Sequence, residues 1–297
     1  MTDTIPAGSV RLAGDLKLTR MGYGAIQLAG PMAWGPPRDR NAAMAVLRTV
    51  VECGITHIDT SDYYGPHAVN CLIHETLYPY PEDLHIVTKV GARRGPGNSW
   101  PEAVSRADLV QAVHDNLEHL ELPVLDLVNL RMTGTRDADD IAEPFSVLAE
   151  LQQEGLIKHL GVSNVSADQV EVAQKIAPVV SVQNSYNLVM RRDDDLVDLC
   201  AERGIAFVPF FPLGGFRPLQ SRALEKVAAD LGYTPLQVAL AWLLQRSATI
   251  LLIPGTSSVD HLRENFAAAS IELPPSAVTE LDSLGDRAFK AAGEGLN

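Results

Sequence analysis

His57-Ile58-Asp59-Thr60-Ser61-Asp62-Tyr63-Tyr64-Gly65 is the point at which an apolar strand runs out into two acids and two tyrosines. A buried strand has no use for such side chains. Asp59 stands where the apolar run ends, and Tyr64 follows ahead of the turn residues Gly65 and Pro66. In an isolated strand, loop and helix, Asp59 or Ser61 would simply cap the helix while the tyrosines packed the rim of a core. Here polar residues recur at the same place in one strand after another, which that reading does not explain.

Outward from this stretch, short apolar runs alternate with amphipathic helical stretches to about residue 267. Strands are expected at 21–23, 56–59, 84–89, 125–130, 159–163, 179–183, 206–210 and 250–253. Helices are expected at 40–53, 105–120, 143–154, 167–176 and 194–203, several stopped by Gly54, Gly155 or Gly204. Eight such units in 297 residues leave about 37 residues each, which suits a (β/α)8 TIM barrel. Residues 10–18, centred on Gly14-Asp15, read as an N-terminal β-hairpin, and 274–285 as an extra C-terminal helix before a mobile end at 291–297. No linker or low-complexity tract divides the chain, so residues 1–297 are expected to form a single barrel domain. A doubly wound open sheet is the alternative, but no Gly-x-Gly-x-x-Gly follows the first strand.

Hydrophobic residues make up 46% of the chain and charged ones 21%, with a net charge of −13. That balance describes a globular protein and argues against nucleic acid or an anionic membrane as partner. Cys53, Cys71 and Cys200 show no metal-like spacing and are expected as buried thiols in helices, in a reducing compartment. No charged-then-apolar leader and no membrane-length apolar run is present, so a cytoplasmic protein is expected.

A (β/α)8 barrel carries its chemistry at the C-terminal strand ends. Those ends hold Asp59, Lys89, Asn129, Ser163-Asn164, Gln183, Phe210 and Thr256 in succession. Each alone has an ordinary use as a rim residue, a helix cap or a partner for loop backbone. A tyrosine beside a lysine and an aspartate suits proton transfer to a developing alkoxide. Free tyrosine is a weak acid with a pKa of about 10. A neighbouring ammonium held by the carboxylate is expected to lower the Tyr64 value. No side chain supplies hydride, so a nicotinamide is implied.

Asp59 to Gly65 with its Tyr64-Gly65, Thr88-Lys89, Gly161-Val162-Ser163-Asn164, and Ile253-Pro254-Gly255-Thr256 with Glu264-Asn265 together resemble the aldo-keto reductase superfamily. The resemblance covers nearly the whole chain. Within the superfamily, Gly22-Tyr23-Gly24-Ala25-Ile26-Gln27-Leu28-Ala29-Gly30-Pro31, Gly91-Ala92-Arg93-Arg94-Gly95 and Phe210-Phe211-Pro212-Leu213-Gly214-Gly215-Phe216 look most like its bacterial pyridoxal reductase branch. The resemblance implies NADPH-dependent reduction of an aldehyde or ketone, with pyridoxal the leading substrate. Tyr64 would give the proton and Lys89 and Asp59 would tune it. Ser163, Asn164 and Gln183 would hold the nicotinamide carboxamide, and Phe210 would stack on its ring. Leu213 and Gly215 would cover the pyrophosphate. Thr256, Ser257, Ser258, His261, Glu264 and Asn265 would form the adenosine end.

The chain departs from the family pattern in two places. The histidine expected at the end of the fourth strand is replaced, on this alignment, by Asn129, which can orient a carbonyl but carries no charge. At the 2′-phosphate site Gly255 and His261 stand where many members place basic residues, so NADH stays open as cofactor, and Arg263 reads as helix surface. Trp34, Phe211 and Phe216, with Trp100, are expected around a flat carbonyl substrate. Of Arg93, Arg94 and Arg131, one is expected to meet an acidic group and two to be solvated. His67 is the histidine near enough to Tyr64 to support it. Two rivals remain: a nicotinamide-binding redox sensor or regulatory subunit with vestigial turnover, similar to potassium-channel β subunits, and a Schiff-base enzyme using Lys89. The chain is expected to act on a small carbonyl compound without a metal, as a monomer or small homo-oligomer.

Overall fold

The computed structural model describes residues 7–134, 141–214 and 221–294. Strands β1 (Ser9–Leu12) and β2 (Leu16–Thr19) form the antiparallel hairpin expected around Gly14. Seven parallel strands then follow one another in sequence order around a single sheet. They are β3 (Tyr23–Gly24), β4 (His57–Asp59), β5 (His85–Val90), β6 (Leu125–Arg131), β7 (Ile157–Ser163), β8 (Val179–Gln183) and β9 (Ala206–Phe207). Around them lie α1 (Arg40–Glu52), α2 (Ala68–Leu77), α3 (Arg106–Leu120), α4 (Ala142–Gln153), α5 (Ala167–Gln174) and α6 (Asp194–Glu202). The chain ends in α7 (Arg222–Leu231), α8 (Pro235–Arg246), α9 (Val259–Ala267) and α10 (Pro275–Glu294).

Residues 250–252 stand in the eighth strand's place, held by bridges where a full ladder was expected. Ile250 bridges Phe207 of β9, and Leu252 bridges Met21 just ahead of β3, both in parallel sense. Gly22 N donates to Leu252 O at 2.7 Å, and Leu251 N donates to Phe207 O at 3.0 Å. One segment is thus bonded to both edges of the sheet, and the sheet closes into a (β/α)8 barrel. β9 ends at Phe207 where the expected strand ran to 210, though Val208 N and Phe210 N still donate to Val182 O and Asn184 O and Phe210 bridges Ser185.

Side-chain oxygens start most of the helices. Asp39, Ser105, Ser166, Ser221, Thr234 and Ser258 each accept a backbone N–H in the first turn, and Ser166 and Thr234 complete capping boxes with Gln169 and Gln237. Helix α10 continues well past the expected end at 285, so the mobile end placed from 291 is helical up to Glu294. Cys200 is buried, but Cys71 is exposed and Cys53 half-buried, so the thiols are not all in the core. Helix α2 turns Val69, Leu72 and Ile73 inward, which leaves Cys71 on its outer face. No single described helix is long and apolar enough to cross a membrane.

The alternation of β-strand side chains builds two cores. Outward-facing residues such as Ile58, Val90, Val128, Leu130 and Val162 pack against the helices. Inward-facing Val87, Leu127, Val180, Ala206 and Leu251 pack with Leu12, Leu16 and Leu18 of the hairpin, which plugs the end of the barrel away from the polar strand ends. Midway up, His57 and Asn129 occupy space that glycines leave open. A Cβ on Gly22 would sit 2.2 Å from the His57 ring, and one on Gly161 would sit 2.2 Å from Asn129 Oδ1.

His57 is 2% exposed, and neither ring nitrogen has a hydrogen-bond partner among the described residues. Burial, with His85 nearby, lowers its pKa to about 3. In the unfolded chain an ordinary histidine takes up a proton near pH 6.5, whereas folded His57 stays neutral until far lower. Its contribution to stability is therefore fully present above 6.5 and lost as pH falls towards 3. Urea unfolding at pH 7, 6 and 5 is expected to show this group removing up to about 1.4 kcal/mol per pH unit. His57→Gln should flatten the slope by that amount. Equal slopes in the two proteins would place the acid sensitivity elsewhere.

Candidate active site

Asp59 leaves β4 and Lys89 sits near the end of β5, both pointing into the barrel mouth and 3% and 5% exposed. The Lys89 ammonium pairs with Asp59 Oδ1 and also donates to Thr60 O at 3.1 Å. Gln183 Nε2, arriving from β8, donates to Asp59 Oδ2 at 2.8 Å. Two charges withdrawn from water are stable together only when their remaining polar atoms are partnered, and these contacts partner them.

The residues between the charged pair and Tyr64 are tied down from outside the barrel. Thr60 Oγ1 donates to Asn70 Oδ1 at 2.8 Å, and Thr88 Oγ1 donates to Asn116 Oδ1 at 2.5 Å. Asn70 Nδ2 donates to both Asn116 Oδ1 and Asp62 Oδ1, so α2 and α3 hold the threonines that flank Asp59 and Lys89. Asp62 is bonded to His67 Nδ1 at 2.6 Å and to His119 Nδ1 at 2.9 Å. His67 therefore braces the loop through Asp62, with no hydrogen bond or ring pairing to Tyr64 among the described residues. Asp62, His67 and His119 form the one compact group of possible metal ligands among the described residues, and each imidazole spends its Nδ1 on the carboxylate. Nothing in the local sequence marked Asn70, Asn116 or His119, which come from two helices.

Tyr64 is 7% exposed, with Lys89 Nζ 5.3 Å from its ring centroid. Its hydroxyl pKa is raised, chiefly by burial and then by Asp59, with Arg131 opposing. The expected lowering by Lys89 does not occur, because the ammonium is committed to Asp59. Tyr63 stands edge-on to Tyr64 at 5.3 Å, and burial pushes its pKa up to about 12. Both phenols remain proton donors through neutral pH.

The residue at the mouth of β6 differs from the expected one. Asn129 is fully buried in the row that pairs with Lys89 and Gly161, and neither of its side-chain polar atoms has a partner among the described residues. Arg131, two residues on, faces the same way one row higher, level with Ser163 and Gln183. Arg131 lines the cavity, donates to Ser163 Oγ at 3.0 Å and lies 4.5 Å from the Phe210 ring centroid. Asn129 is thus not placed to orient a substrate carbonyl. Of the other two arginines, Arg93 pairs with Asp108 at the surface and Arg94 stacks 3.9 Å over Trp100.

A cavity of ≈ 820 Å³ opens over these residues. Asp59, Tyr63, Tyr64, Lys89, Asn164, Gln183, Phe210, Phe211, Leu213 and Ser257 all line it, and Trp100 closes one side. Trp34 does not line it: the ring is exposed and lies 5.4 Å from Arg94, outside the cavity wall. Ser163 is buried behind Arg131. Gly215 and Phe216 lie outside the described residues.

The residues fit a nicotinamide. Gln183 Oε1 is buried without a partner among the described residues, an acceptor suited to a carboxamide N–H. Asn164, held at φ 59° with Nδ2 on Met132 O, stands beside it. At the other end, Thr256 Oγ1 accepts from Ser258 N at 3.1 Å, and Ser258 caps α9, whose first turn carries exposed His261. Glu264 is half-buried and Asn265 buried on the same helix. Gly255 lies against the Gly24 carbonyl, where an added Cβ would be 2.6 Å away, so no basic side chain fits there. Arg263 acts on Cys53 at the end of α1, as expected for a helix-surface residue.

Residues 20–286 match the model of the aldo/keto reductase family. The chain is 58% identical over 275 residues to pyridoxine 4-dehydrogenase of Escherichia coli, covering 91% of this chain and 96% of that one. It is 39% identical over 284 residues to an uncharacterized oxidoreductase of Schizosaccharomyces pombe, covering 95% and 92%. A thermostable aldo-keto reductase crystallised with the inhibitor epalrestat superposes with a TM-score of 0.80 at 31% identity, covering 93% of this chain and 99% of that one.

Asp59→Asn leaves the Lys89 ammonium buried without its counter-charge. The expected cost is about 3–5 kcal/mol in urea unfolding at neutral pH. A cost below about 1 kcal/mol would mean that the pair is hydrated and contributes little.

Proposed function

The chain belongs to the aldo/keto reductase family, and from that membership we propose that it is an NADPH-dependent oxidoreductase reducing an aldehyde, pyridoxal to pyridoxine, to the alcohol. The observation that carries this reading is the buried Asp59–Lys89 pair beneath Tyr64, with the unpartnered Gln183 Oε1 alongside. The likeness to the Escherichia coli pyridoxine 4-dehydrogenase supports the substrate. The same reading treats residues 1–297 as one barrel domain working in the cytoplasm on a small carbonyl compound.

A nicotinamide held there would supply hydride to the carbonyl carbon. Gln183 and Asn164 would hold its carboxamide, with Phe210, Leu213 and Ser257 along the cavity wall and Thr256 and Ser258 at the far end. Tyr64 would donate its hydroxyl proton to the carbonyl oxygen as negative charge develops there. The phenolate left behind is stabilised by the Arg131 cation, which opposes the rise in the Tyr64 pKa, before solvent reprotonates it. Asp59 keeps Lys89 charged and in place. The aromatic walls and depth of the cavity exclude water from this exchange. Asn129 lies below the mouth, so its standing in for the expected histidine gives the redox-sensor rival no support.

Loss of NADPH absorbance is followed at neutral pH with a carbonyl panel led by pyridoxal, with NADH in parallel. Tyr64→Phe is expected to lower kcat by about 10²–10⁴-fold, and retention of most of the rate would remove Tyr64 from the proton-donor role. Because the Tyr64 pKa is raised, reduction should be nearly independent of pH between 6 and 9. Pyridoxine oxidation, which needs the phenolate, should climb on the alkaline side. A reduction rate that collapses on going from pH 7 to 9 would mean that a more acidic group gives the proton.

A further inference from the structure

Arg131 is a half-buried cation in the cavity with no counter-ion among the described residues. Its contacts among the described residues are neutral: Ser163 Oγ and the face of Phe210. The two carboxylates among the described cavity residues are already engaged, Asp59 by Lys89 and Gln183, and Asp39 by the N-terminus of α1. Tyr63 and Tyr64 both feel the Arg131 charge, yet burial keeps both protonated, so neither neutralises it. A guanidinium partly withdrawn from water, stacked on an aromatic face and tied at one nitrogen, has its remaining donors set to meet an anionic oxygen.

We propose that Arg131 binds an ionised oxygen on the atom adjacent to the reacting carbonyl-bearing carbon, and so selects aromatic aldehydes carrying an ortho hydroxyl, as phenolates. This rests on the aldehyde-reductase reading above and deepens it. An ortho-hydroxy aldehyde presents its two oxygens side by side. With the carbonyl oxygen at Tyr64, the second is offered to the Arg131 guanidinium, which lines the same cavity against the Phe210 face. Tyr63, Trp100, Phe210 and Phe211 supply flat walls for the ring. Tyr63 also stands edge-on to Trp100 at 5.5 Å, and Phe211 edge-on to Phe210 at 5.2 Å. An ordinary aliphatic aldehyde would leave the guanidinium unsatisfied.

The test compares kcat/KM for pyridoxal with that for 4-pyridinecarboxaldehyde, which lacks the ring hydroxyl, in wild type, Arg131→Met and Arg131→Lys. The ratio within one protein is independent of the fraction folded, of cofactor loading and of any general loss of rate. In Arg131→Met the pyridoxal preference is expected to fall roughly 10- to 100-fold, with Arg131→Lys intermediate because it keeps charge but not the fork. An unchanged ratio would overturn the proposal, placing Arg131 on the carbonyl oxygen or in a structural role. Phenylglyoxylate, which carries a carboxylate beside its carbonyl, is run alongside. A higher Arg131-dependent kcat/KM for it than for pyridoxal would overturn the phenolate assignment. Calorimetric binding of 4-deoxypyridoxine in the presence of NADP, which needs no turnover, should weaken at least about 10-fold in Arg131→Met. Unchanged affinity would overturn the proposal, whereas wild-type inactivity towards every aldehyde would fail the reductase reading alone.

Discussion

A lysine and an aspartate held out of water inside the barrel mouth constrain the surrounding structure more than any other contact. Removing both charges from solvent is costly, and the cost is recovered only when each remaining lone pair and proton finds a partner. Thr60 O takes a second ammonium proton, and Gln183 crosses from β8 to take the second carboxylate oxygen. Strands far apart in sequence are thereby fixed to one another at the level where chemistry would occur. The threonines adjoining the pair reverse direction with the pleat and are locked by Asn70 and Asn116 from α2 and α3. The polar interior and the polar outer brace are two faces of the same alternation.

The barrel interior is also limited by volume. Gly22 and Gly161 leave the space that the His57 ring and the Asn129 side chain occupy, and Gly24 brings the first strand against the Ile253 carbonyl. These glycines are packing solutions: a methyl group at any of them would need the backbone or a buried ring to shift. Below this layer the hairpin leucines complete an apolar floor. The result is a graded interior, apolar at the hairpin end, then polar and closely packed, then charged where the cavity opens.

The electrostatics of the mouth follow from how each cation is committed. Lys89 is spent on Asp59 and therefore does little to acidify Tyr64, whose pKa is raised by burial and by the same Asp59. Arg131 meets nothing charged among the described residues and acts on both tyrosines. Two cations that line the same cavity as this phenol thus differ because, among the described residues, only Lys89 has a counter-ion.

The sequence by itself determined the barrel, the hairpin, most helix starts and the residues Asp59, Tyr64, Lys89, Asn164, Gln183, Phe210 and Ser257 of the cavity. Strand periodicity, capping residues and the recurrence of polar residues at strand ends are local properties, and local properties can be read along a chain. The resemblance to the aldo-keto reductases rested on the same short motifs. Tertiary structure decided what depends on registry and distance. Extending the fourth barrel strand by one residue, to Arg131, moves the mouth from Asn129 to Arg131, because alternate residues face inward and each row lies deeper than the next. Trp34 and Trp100 stand in equally plausible loops, and only the packing of Arg94 against Trp100 and the shape of the cavity separated them. Asn70, Asn116 and His119 support the loop from Asp59 to Gly65 from helices whose sequences read as ordinary amphipathic faces. Which polar groups meet, and which charges remain unpaired, is set by closure of the sheet, which joins residues 20–24 to residues 250–255 across the whole length of the chain.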